Sequence, residues 1–425
     1  MKIWTIMGLL ALAASASAQS TEPPATRPAS RPAQRAWVNP QPDVPFLPKP
    51  AARPADWLVE HPPVSPNASA EVRALLKYLY AISGKQTLTG QHNYADEKDA
   101  STQQAARWSR KTPVIYGIDF GFSAEGDKDS AYVRPRLVEE MRQQWLAGSI
   151  ITVTWHEVRP TDTEPVTFMG SIRQKLTDAQ FEELLTPGTP LHGRWQAKTD
   201  EIAGYLKQLE AHRVPILYRP YHEINGNWFW WNGRRGDRGS KVLYRMAFDR
   251  LVRHHKLTNL IWVWNADQPS QPDRQFVDYF PGHDTVDVLS FDNYGTFQQR
   301  FYDEMNALSE GKPMAIGECS MPPAPDDYKT QPKWAWYMVW AQMAGPPRPR
   351  RASTRNAAAA SQPAAPPPPA VTLADIAAAP RFFSLQDEAY WQSVNPMRTQ
   401  LGLPAGQPYP APPPWQPATQ PTTNP

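Results

Sequence analysis

Two segments of the sequence end in a glutamate that could take part in acid–base or nucleophilic chemistry. In the segment 218–231, His222 and Glu223 are followed by an Asn-Gly pair, which favours a turn, and by three tryptophans. The segment 313–320 is apolar and weakly charged up to Glu318. Two carboxyl groups about 5 to 5.5 Å apart can hydrolyse a glycosidic bond with retention, one as nucleophile and the other as general acid and then base. Hydrolysis of a sugar chain is therefore the first hypothesis for this pair.

Polar groups also end other apolar runs of strand length. A polar residue at one strand end is equally well explained by the strand reaching the surface, but six such ends favour a shared site. Asp119, Asp292 and Glu157 are expected to support neighbouring groups rather than to react. The six ends are Gln91-His92, Asp119, His156-Glu157, His222-Glu223, Asp292 to Tyr294, and Glu318.

These six ends belong to six of eight apolar, β-branched runs. The eight runs alternate with stretches whose apolar residues recur at helical spacing. Eight alternations predict an α/β fold, a (β/α)8 TIM barrel, in which the C-terminal strand ends converge on one mouth and form the active site. The runs are 87–93, 113–120, 149–156, 214–223, 259–267, 286–294, 312–320 and 333–343, and the helical stretches include 132–147, 195–212, 241–255 and 297–309.

Proline content divides the rest of the chain. More than half of the 48 prolines fall in 19–55, 345–370 and 404–425, which are too poor in apolar residues to fold as cores. The sequence therefore predicts a single catalytic domain with disordered Pro-rich extensions. Its parts are a linker at 19–55, a domain at 56–403 with a low-complexity insertion at about 345–370, and a tail at 404–425. A final helix near Val371 to Ala378 is expected to close the barrel.

The N-terminus and the overall charge bear on compartment and partners. A basic start, an apolar run and the small residues Ala16-Ser17-Ala18 are typical of a signal peptide at 1–18, cleaved after Ala18. We therefore expect a secreted or periplasmic protein without stable membrane insertion, since the apolar run is shorter than the roughly 20 residues of a membrane span. A net charge of +3 argues against nucleic acid as a partner. The 17 Trp, 16 Tyr and 14 Phe could stack on sugar rings, although large cores use them too.

From about Gln86 to Gln342 the sequence resembles glycoside hydrolase family 26, a family of retaining barrel enzymes. That family consists mainly of endo-β-1,4-mannanases, with minorities active on mixed-linkage β-1,3-1,4-glucan or β-1,3-xylan. The resemblance therefore implies endo-hydrolysis of mannan, glucomannan or galactomannan by double displacement, with the glucanase and xylanase activities as alternatives. It rests on Gly90-Gln91-His92, Tyr116 to Asp119, Thr154-Trp155-His156, Leu191-His192-Gly193, Arg219 to Glu223 with Asn225-Gly226 and Trp228, Ser290 to Tyr294, and Ile316-Gly317-Glu318.

The resemblance also implies roles for the residues nearest the chemistry. Glu223 would be the acid/base and Glu318 the nucleophile. His222 would orient the nucleophile or the sugar beside it, and Tyr294 would donate a hydrogen bond to Glu318. No cofactor and no metal are implied.

Three further residues would contact the sugar chain. His156 would touch the sugar of the cleaved unit, Trp228 would stack on the leaving-group side, and Trp340 would form the floor of the central subsite. The chain departs from the family pattern on the glycone side, where Ala341 follows Trp340 and residues 157–158 replace the more usual ones. Substrate identity and the number of glycone subsites therefore stay open.

Two other classes of protein are alternatives, a metal-dependent hydrolase and a non-catalytic carbohydrate-binding barrel. His156-Glu157 and His222-Glu223 could suggest metal ligands, but neither extends to a His-Glu-x-x-His helix. Aromatic platforms alone would suffice for binding, although two glutamates in intact motifs favour catalysis. Both a glycoside hydrolase and a carbohydrate-binding barrel would bind a β-linked polysaccharide, which is therefore the expected partner. We expect the protein to be a monomer.

Overall fold

The computed structural model describes residues 44–343 and 372–413. The expected signal peptide at 1–18 lies outside the described residues, as does the part of the expected linker at 19–43. The low-complexity insertion at about 345–370 and the end of the tail, 414–425, also lie outside them. Within the described ranges, no helix is both long and apolar enough to cross a bilayer.

Eight parallel strands close into a barrel, and each lies within one of the eight apolar runs, so the predicted (β/α)8 fold is confirmed. Closure comes from the last barrel strand, β9, which pairs in parallel with both β8 and β2. The barrel strands are β2 (Gly90–His92), β3 (Ile115–Asp119), β4 (Ile150–Thr154), β5 (Ile216–Arg219), β6 (Leu260–Asp267), β7 (Val288–Asn293), β8 (Met314–Cys319) and β9 (Trp334–Val339).

The first apolar run is divided into two short strands. β1 (Thr87–Leu88) pairs with β9 and with β10 (Phe382–Phe383), whereas β2 pairs with β9 and β3. A Cβ at Gly90 would lie 2.2 Å from the carbonyl oxygen of Tyr337, so glycine permits a close approach that a larger residue would prevent. The C-terminal part of the chain thus returns to the start of the barrel.

Helices form the outer layer, and hydroxyl side chains cap several of them. The side chains of Thr177 and Gln180 form a capping box, and Thr189 accepts a hydrogen bond from the backbone N–H of His192. Such caps satisfy backbone donors that the first turn leaves free. The helices before the insertion are α1 (Ala70–Ile82), α2 (Ala100–Ser109), α3 (Arg134–Leu146), α4 (Asp178–Leu185), α5 (Pro190–Ala211), α6 (Ser240–Phe248), α7 (Phe276–Tyr279) and α8 (Gln299–Leu308).

The expected final helix is present but is not the last one. α9 (Leu373–Ala378) lies where the sequence predicts it, and the longer α10 (Glu388–Gln400) follows after β10. The expectation that α9 ends the fold is therefore wrong. α10 contains Pro396, a residue that normally ends or kinks a helix, but the buried side chains of Tyr390 and Trp391 anchor it to the barrel.

Residues 44–55, which belong to the expected linker, lie extended along the outside of the barrel. The backbone N–H of Leu47 donates to Oδ1 of Asp278 at 3.0 Å. The side-chain amide of Asn306 donates to the carbonyl oxygen of Pro54 at 2.7 Å. This part of the Pro-rich segment therefore makes specific contacts with the domain.

Residues 404–413, the first part of the expected tail, also pack on the domain. The ring of Tyr409 stacks on Trp391 with 6.3 Å between ring centres and 19° between planes. Its hydroxyl donates to the carbonyl oxygen of Ala147 at 2.8 Å. The described part of the tail thus packs against Trp391 of α10.

Much of the aromatic content lies in the core. Buried aromatic rings supply a large apolar area, which explains their number in a barrel of this size without any role in binding. Among the described aromatic residues, those at the barrel mouth are the candidates for sugar recognition. Fully buried tryptophans include Trp195, Trp230, Trp231, Trp262, Trp264, Trp334, Trp336 and Trp391.

Candidate active site

Glu223 and Glu318 meet at the C-terminal mouth of the barrel, where its fourth and seventh strands, β5 and β8, end. Glu318 lies within β8, and Glu223 follows the end of β5. Carboxylate oxygens of Glu223, Glu318 and Asp292 all lie within 4.8 Å of one another. Glu223 is 7% exposed and Glu318 is 3% exposed. Two carboxyl groups this close can act on the same bond of a substrate.

A shift in strand register brings Asp292 opposite Glu318. Phe291 pairs with Ile316, but the next residue of β7, Asp292, pairs with Glu318, so Gly317 is an additional residue in β8. A Cβ at Gly317 would lie 2.3 Å from the side-chain nitrogen of Asn265. Glycine at this position therefore lets polar side chains converge beside the nucleophile candidate.

Glu318 is held by two donors. Nη2 of Arg219 donates to Oε1 at 2.8 Å, and the hydroxyl of Tyr294 donates to Oε2 at 2.7 Å. Arg219 is 1% exposed, and its guanidinium also lies 3.4 Å from Asp292. Both donors fix the orientation of the Glu318 carboxylate, and a fixed carboxylate can act as a nucleophile. Tyr294 remains 40% exposed, so its ring also faces the mouth of the barrel.

Glu223 is held differently. The indole N–H of Trp228 donates to Oε2, and the backbone N–H of Glu223 donates to Oδ1 of Asn265 at 2.9 Å. Burial raises the pKa of the Glu223 carboxyl well above its usual value, and the negative charges of Asp292, Asp267 and Glu318 raise it further, whereas the bond from Trp228 lowers it. Glu223 therefore keeps its proton to a higher pH than an ordinary glutamate, as a general acid must.

Arg219 and Asn265 are site residues that the sequence analysis did not single out. The side-chain nitrogen of Asn265 donates to Oδ1 of Asp292 at 2.8 Å. Asn265 thus connects the backbone of Glu223 to the carboxylate that faces Glu318. Arg219 was part of a quoted motif but was given no role, although an arginine in an apolar strand is costly to bury unless it is paired.

His156 and His222 lie side by side, with 4.5 Å between ring centres. Nδ1 of His156 is 2.9 Å from Oδ2 of Asp119, which also accepts the backbone N–H of His156. Burial lowers the pKa of His156, but the charge of Asp119, its hydrogen bond and the charges of Glu318 and Asp129 together raise it by more, so the net pKa is raised. Nδ1 of His222 lies 3.0 Å from Oγ1 of Thr154, and burial holds its pKa well below the usual value. The structure thus brings both histidines to the mouth.

Trp228 and Trp340 lie at the mouth in different settings. Trp228 turns its N–H towards Glu223, and the guanidinium of Arg274 lies 5.3 Å from the centre of its ring. The ring of Trp340 stacks on His92, with 3.8 Å between centres and 15° between planes. Contacts of either tryptophan with a sugar stay predictions.

The three carboxylates are close enough to consider a cation site, because oxygen ligands suit divalent ions. However, Arg219 already places a positive charge against two of them, Glu318 and Asp292. Trp228 and Tyr294 occupy further lone pairs of Glu223 and Glu318. This arrangement suits proton transfer and nucleophilic attack better than metal binding.

Comparison with known proteins identifies the family. The profile of glycosyl hydrolase family 26 matches residues 64–359, which is more than half of the chain. A mannan endo-1,4-β-mannosidase of Thermothelomyces thermophilus is 33% identical over 285 residues, covering 65% of this chain and 56% of that protein. This chain therefore spans little more than half the length of that relative.

Solved structures agree with this assignment. GH26A of a Muricauda species is 34% identical, with a TM-score of 0.66, and the match covers 75% of this chain and 98% of that one. A β-mannanase from a symbiotic protist of the termite Reticulitermes speratus, complexed with gluco-manno-oligosaccharide, is 26% identical with a TM-score of 0.59. That match covers 67% of this chain and 88% of the protist enzyme. On the family profile and these matches, the chain belongs to glycosyl hydrolase family 26.

Proposed function

We propose that this chain is a secreted retaining glycoside hydrolase that cleaves internal β-1,4-mannosidic linkages in mannan-type hemicellulose. The observation that carries the proposal is the close pair of Glu223 and Glu318, set in contrasting environments at one barrel mouth. A separation of about 5 to 5.5 Å is typical of retaining enzymes, whereas inverting enzymes need about 6.5 to 9.5 Å to admit a water molecule. Carboxylate oxygens within 4.8 Å of one another support the retaining alternative.

The contrast between the two carboxyl groups supports their separate roles. In the first step, the ionised carboxylate of Glu318 attacks the anomeric carbon while Glu223 gives its proton to the leaving glycosidic oxygen. In the second step, Glu223 takes a proton from water, and the resulting hydroxide displaces Glu318 from the anomeric carbon. Arg219 and Tyr294 hold the side chain of Glu318 in position for the attack.

The substrate is inferred from the relatives. The fungal relative is named a mannan endo-1,4-β-mannosidase, and the termite protist enzyme was solved with gluco-manno-oligosaccharide. We therefore infer a mannan, glucomannan or galactomannan substrate for this chain too. Export is inferred from the N-terminal signal alone, and a monomer is inferred because one barrel supplies all the groups of the mechanism.

Replacement of each glutamate by alanine tests the mechanism. Glu223→Ala and Glu318→Ala should each lower hydrolysis of mannan by several orders of magnitude, because each removes one half of the pair. With a dinitrophenyl mannobioside, Glu223→Ala should still form and accumulate the glycosyl–enzyme intermediate, whereas Glu318→Ala should not. Glu60→Ala, at an exposed position before α1, is the matched control and should behave like the wild type.

Product analysis tests stereochemistry and substrate together. Proton NMR of mannopentaose hydrolysis should show the β-anomer as the first product. An initial α-anomer would refute the two-step mechanism. A β-anomer combined with faster hydrolysis of mixed-linkage β-glucan or β-1,3-xylan would retain the mechanism and overturn the substrate.

A further inference from the structure

Glu157 is a buried carboxylic acid that the mechanism above does not use. It follows His156 beyond the end of β4 and is 2% exposed. Among the described residues it forms no ion pair. Burial raises the pKa of Glu157 to about 8, whereas a hydrogen bond from Tyr221 lowers it. The charged groups that face it are Lys198 of α5, which lowers the pKa, and Glu164, which raises it.

The neighbourhood of Glu157 leaves little room for an ionised carboxylate. Its side chain faces a cavity of about 10 Å³ lined by Trp155, Tyr218 and Tyr221, among others. A space of this size admits at most one water molecule, which is too little to solvate a negative charge. The enclosure therefore gives a physical reason, independent of any titration, for the carboxyl to stay neutral.

Glu157 is connected to the segment that carries the acid/base. The hydroxyl of Tyr221 accepts the indole N–H of Trp195 at 2.7 Å. Since an indole can only donate, the single hydroxyl hydrogen of Tyr221 is free to bond with the Glu157 carboxyl. The carbonyl oxygen of Glu157 also accepts the indole N–H of Trp230 at 2.7 Å. The hydrogen bond from Trp230 and the Tyr221 hydroxyl beside the carboxyl thus link the residue after β4 to the segment 221–230.

The same segment has an unusual backbone. Tyr221 has a φ of 51° and Glu223 a φ of 52°, values that residues other than glycine rarely adopt. A positive φ is strained for a residue that carries a side chain, so the surroundings must hold both residues in place. The hydroxyl bonds of Tyr221 act on the first of these two residues, two positions before the acid/base.

We propose that Glu157 is a positioning residue whose buried carboxyl, through Tyr221, fixes the strained turn that aims Glu223 at the glycosidic oxygen. This inference rests on the proposed function, because it assigns Glu157 an effect on the acid step. It explains why a carboxylic acid lies buried, without an ion pair, directly behind the mouth. It also gives a role to one of the positions at which the sequence departs from the family pattern.

The test compares two leaving groups in three variants, Glu157→Ala, Glu157→Gln and Tyr221→Phe. A sugar leaving group needs protonation by Glu223, whereas a dinitrophenolate does not, and kcat/KM reports the step in which that group leaves. On mannopentaose, Glu157→Ala and Tyr221→Phe should lower kcat/KM by roughly 10-fold to 100-fold, the size expected when a catalytic group is misplaced by about 1 Å. On dinitrophenyl mannobioside their kcat/KM should fall much less. Glu157→Gln, which is neutral and keeps an acceptor for Tyr221, should resemble the wild type on both substrates.

Equal losses on both substrates would overturn the proposal, because a purely structural role lowers both reactions alike. So would a Glu157→Gln variant as impaired as Glu157→Ala. If Glu157→Ala does not fold, Tyr221→Phe and Glu157→Gln still decide the question. A wild-type enzyme inactive on mannan but active on β-glucan would refute only the proposed substrate, and the same comparison would then use a glucan oligosaccharide and its dinitrophenyl glycoside.

Discussion

Replacing Trp228 by phenylalanine should extend the activity of this enzyme to higher pH. The indole N–H of Trp228 donates to Glu223 and lowers the pKa of that carboxyl, against the upward effects of burial and of three nearby carboxylates. Phenylalanine keeps an aromatic ring at the mouth but has no N–H. The pKa of Glu223 should therefore rise further in the variant.

The size of this change follows from the strength of the lost hydrogen bond. A bond to a charged acceptor contributes about 1.5 to 3 kcal/mol, and one to a neutral acceptor about 0.5 to 1.5 kcal/mol. The N–H of Trp228 thus favours the ionised form of Glu223 by about 1 to 1.5 kcal/mol, which corresponds to about one pKa unit. Because Glu223 must carry a proton to act as an acid, the alkaline limb should move up by about one pH unit.

The assay is kcat/KM on a soluble galactomannan, measured from about pH 4 to pH 10. The acid limb should not move, because the substitution leaves the hydrogen bonds of Arg219 and Tyr294 to the nucleophile Glu318 in place. Trp340→Phe is the control, because it reduces an aromatic ring at the same mouth without changing a contact of Glu223. This variant should lower kcat/KM and leave both limbs of the pH profile in place. An alkaline limb that is unchanged or lower in Trp228→Phe would refute the reasoning.

The other predictions use the same site and the flanking segments. Asp267→Asn removes a negative charge that raises the pKa of Glu223, so the alkaline limb should move down, in the direction opposite to Trp228→Phe. Tyr294→Phe removes a charge-assisted bond to Glu318 and should lower kcat/KM on dinitrophenyl mannobioside by roughly 10-fold to 100-fold, with little change in melting temperature. Exhaustive chelation should leave turnover intact, and a loss restored only by a divalent ion would favour a metal-dependent hydrolase. Deletion of residues 404–425 should lower the melting temperature by a few degrees, because it removes Tyr409 and its stacking on Trp391, whereas deletion of 414–425 keeps that contact and should leave the melting temperature nearly unchanged.

The barrel could be predicted from the sequence because its strands are buried on both faces. Such strands read as continuous apolar runs, and the regular alternation of eight of them with helices leaves few other folds. α10 was not predicted, because Pro396 interrupts the helical pattern and the hydrogen bonds of Tyr390 and Arg398 go to Gly148 and Trp145, far away in sequence. The local sequence pattern does not indicate such long-range contacts.

For the site, the positions of the two glutamates could be predicted but their surroundings could not. Glu223 and Glu318 end apolar runs, and that pattern alone brings them to one mouth. The sequence does not indicate how an aromatic ring is oriented towards its neighbours. Trp228 was expected only to stack on a sugar, whereas in the structure its N–H also donates to Glu223. The contact of Glu157 with Tyr221 joins two strand ends, and no local pattern marks it.

The pairing of the first strands with the last ones has a consequence for the timing of folding. β1 and β2 pair with β9 and β10, which the ribosome makes last. At about 5 to 20 residues per second, synthesis of this chain takes roughly 20 to 85 seconds, and until β9 has been made the first barrel strand lacks the neighbour that closes the ring. Pairing between such distant segments is also slow to form. The barrel therefore closes only late in synthesis or after it, and until then the edge of β2 that β9 covers has no partner strand.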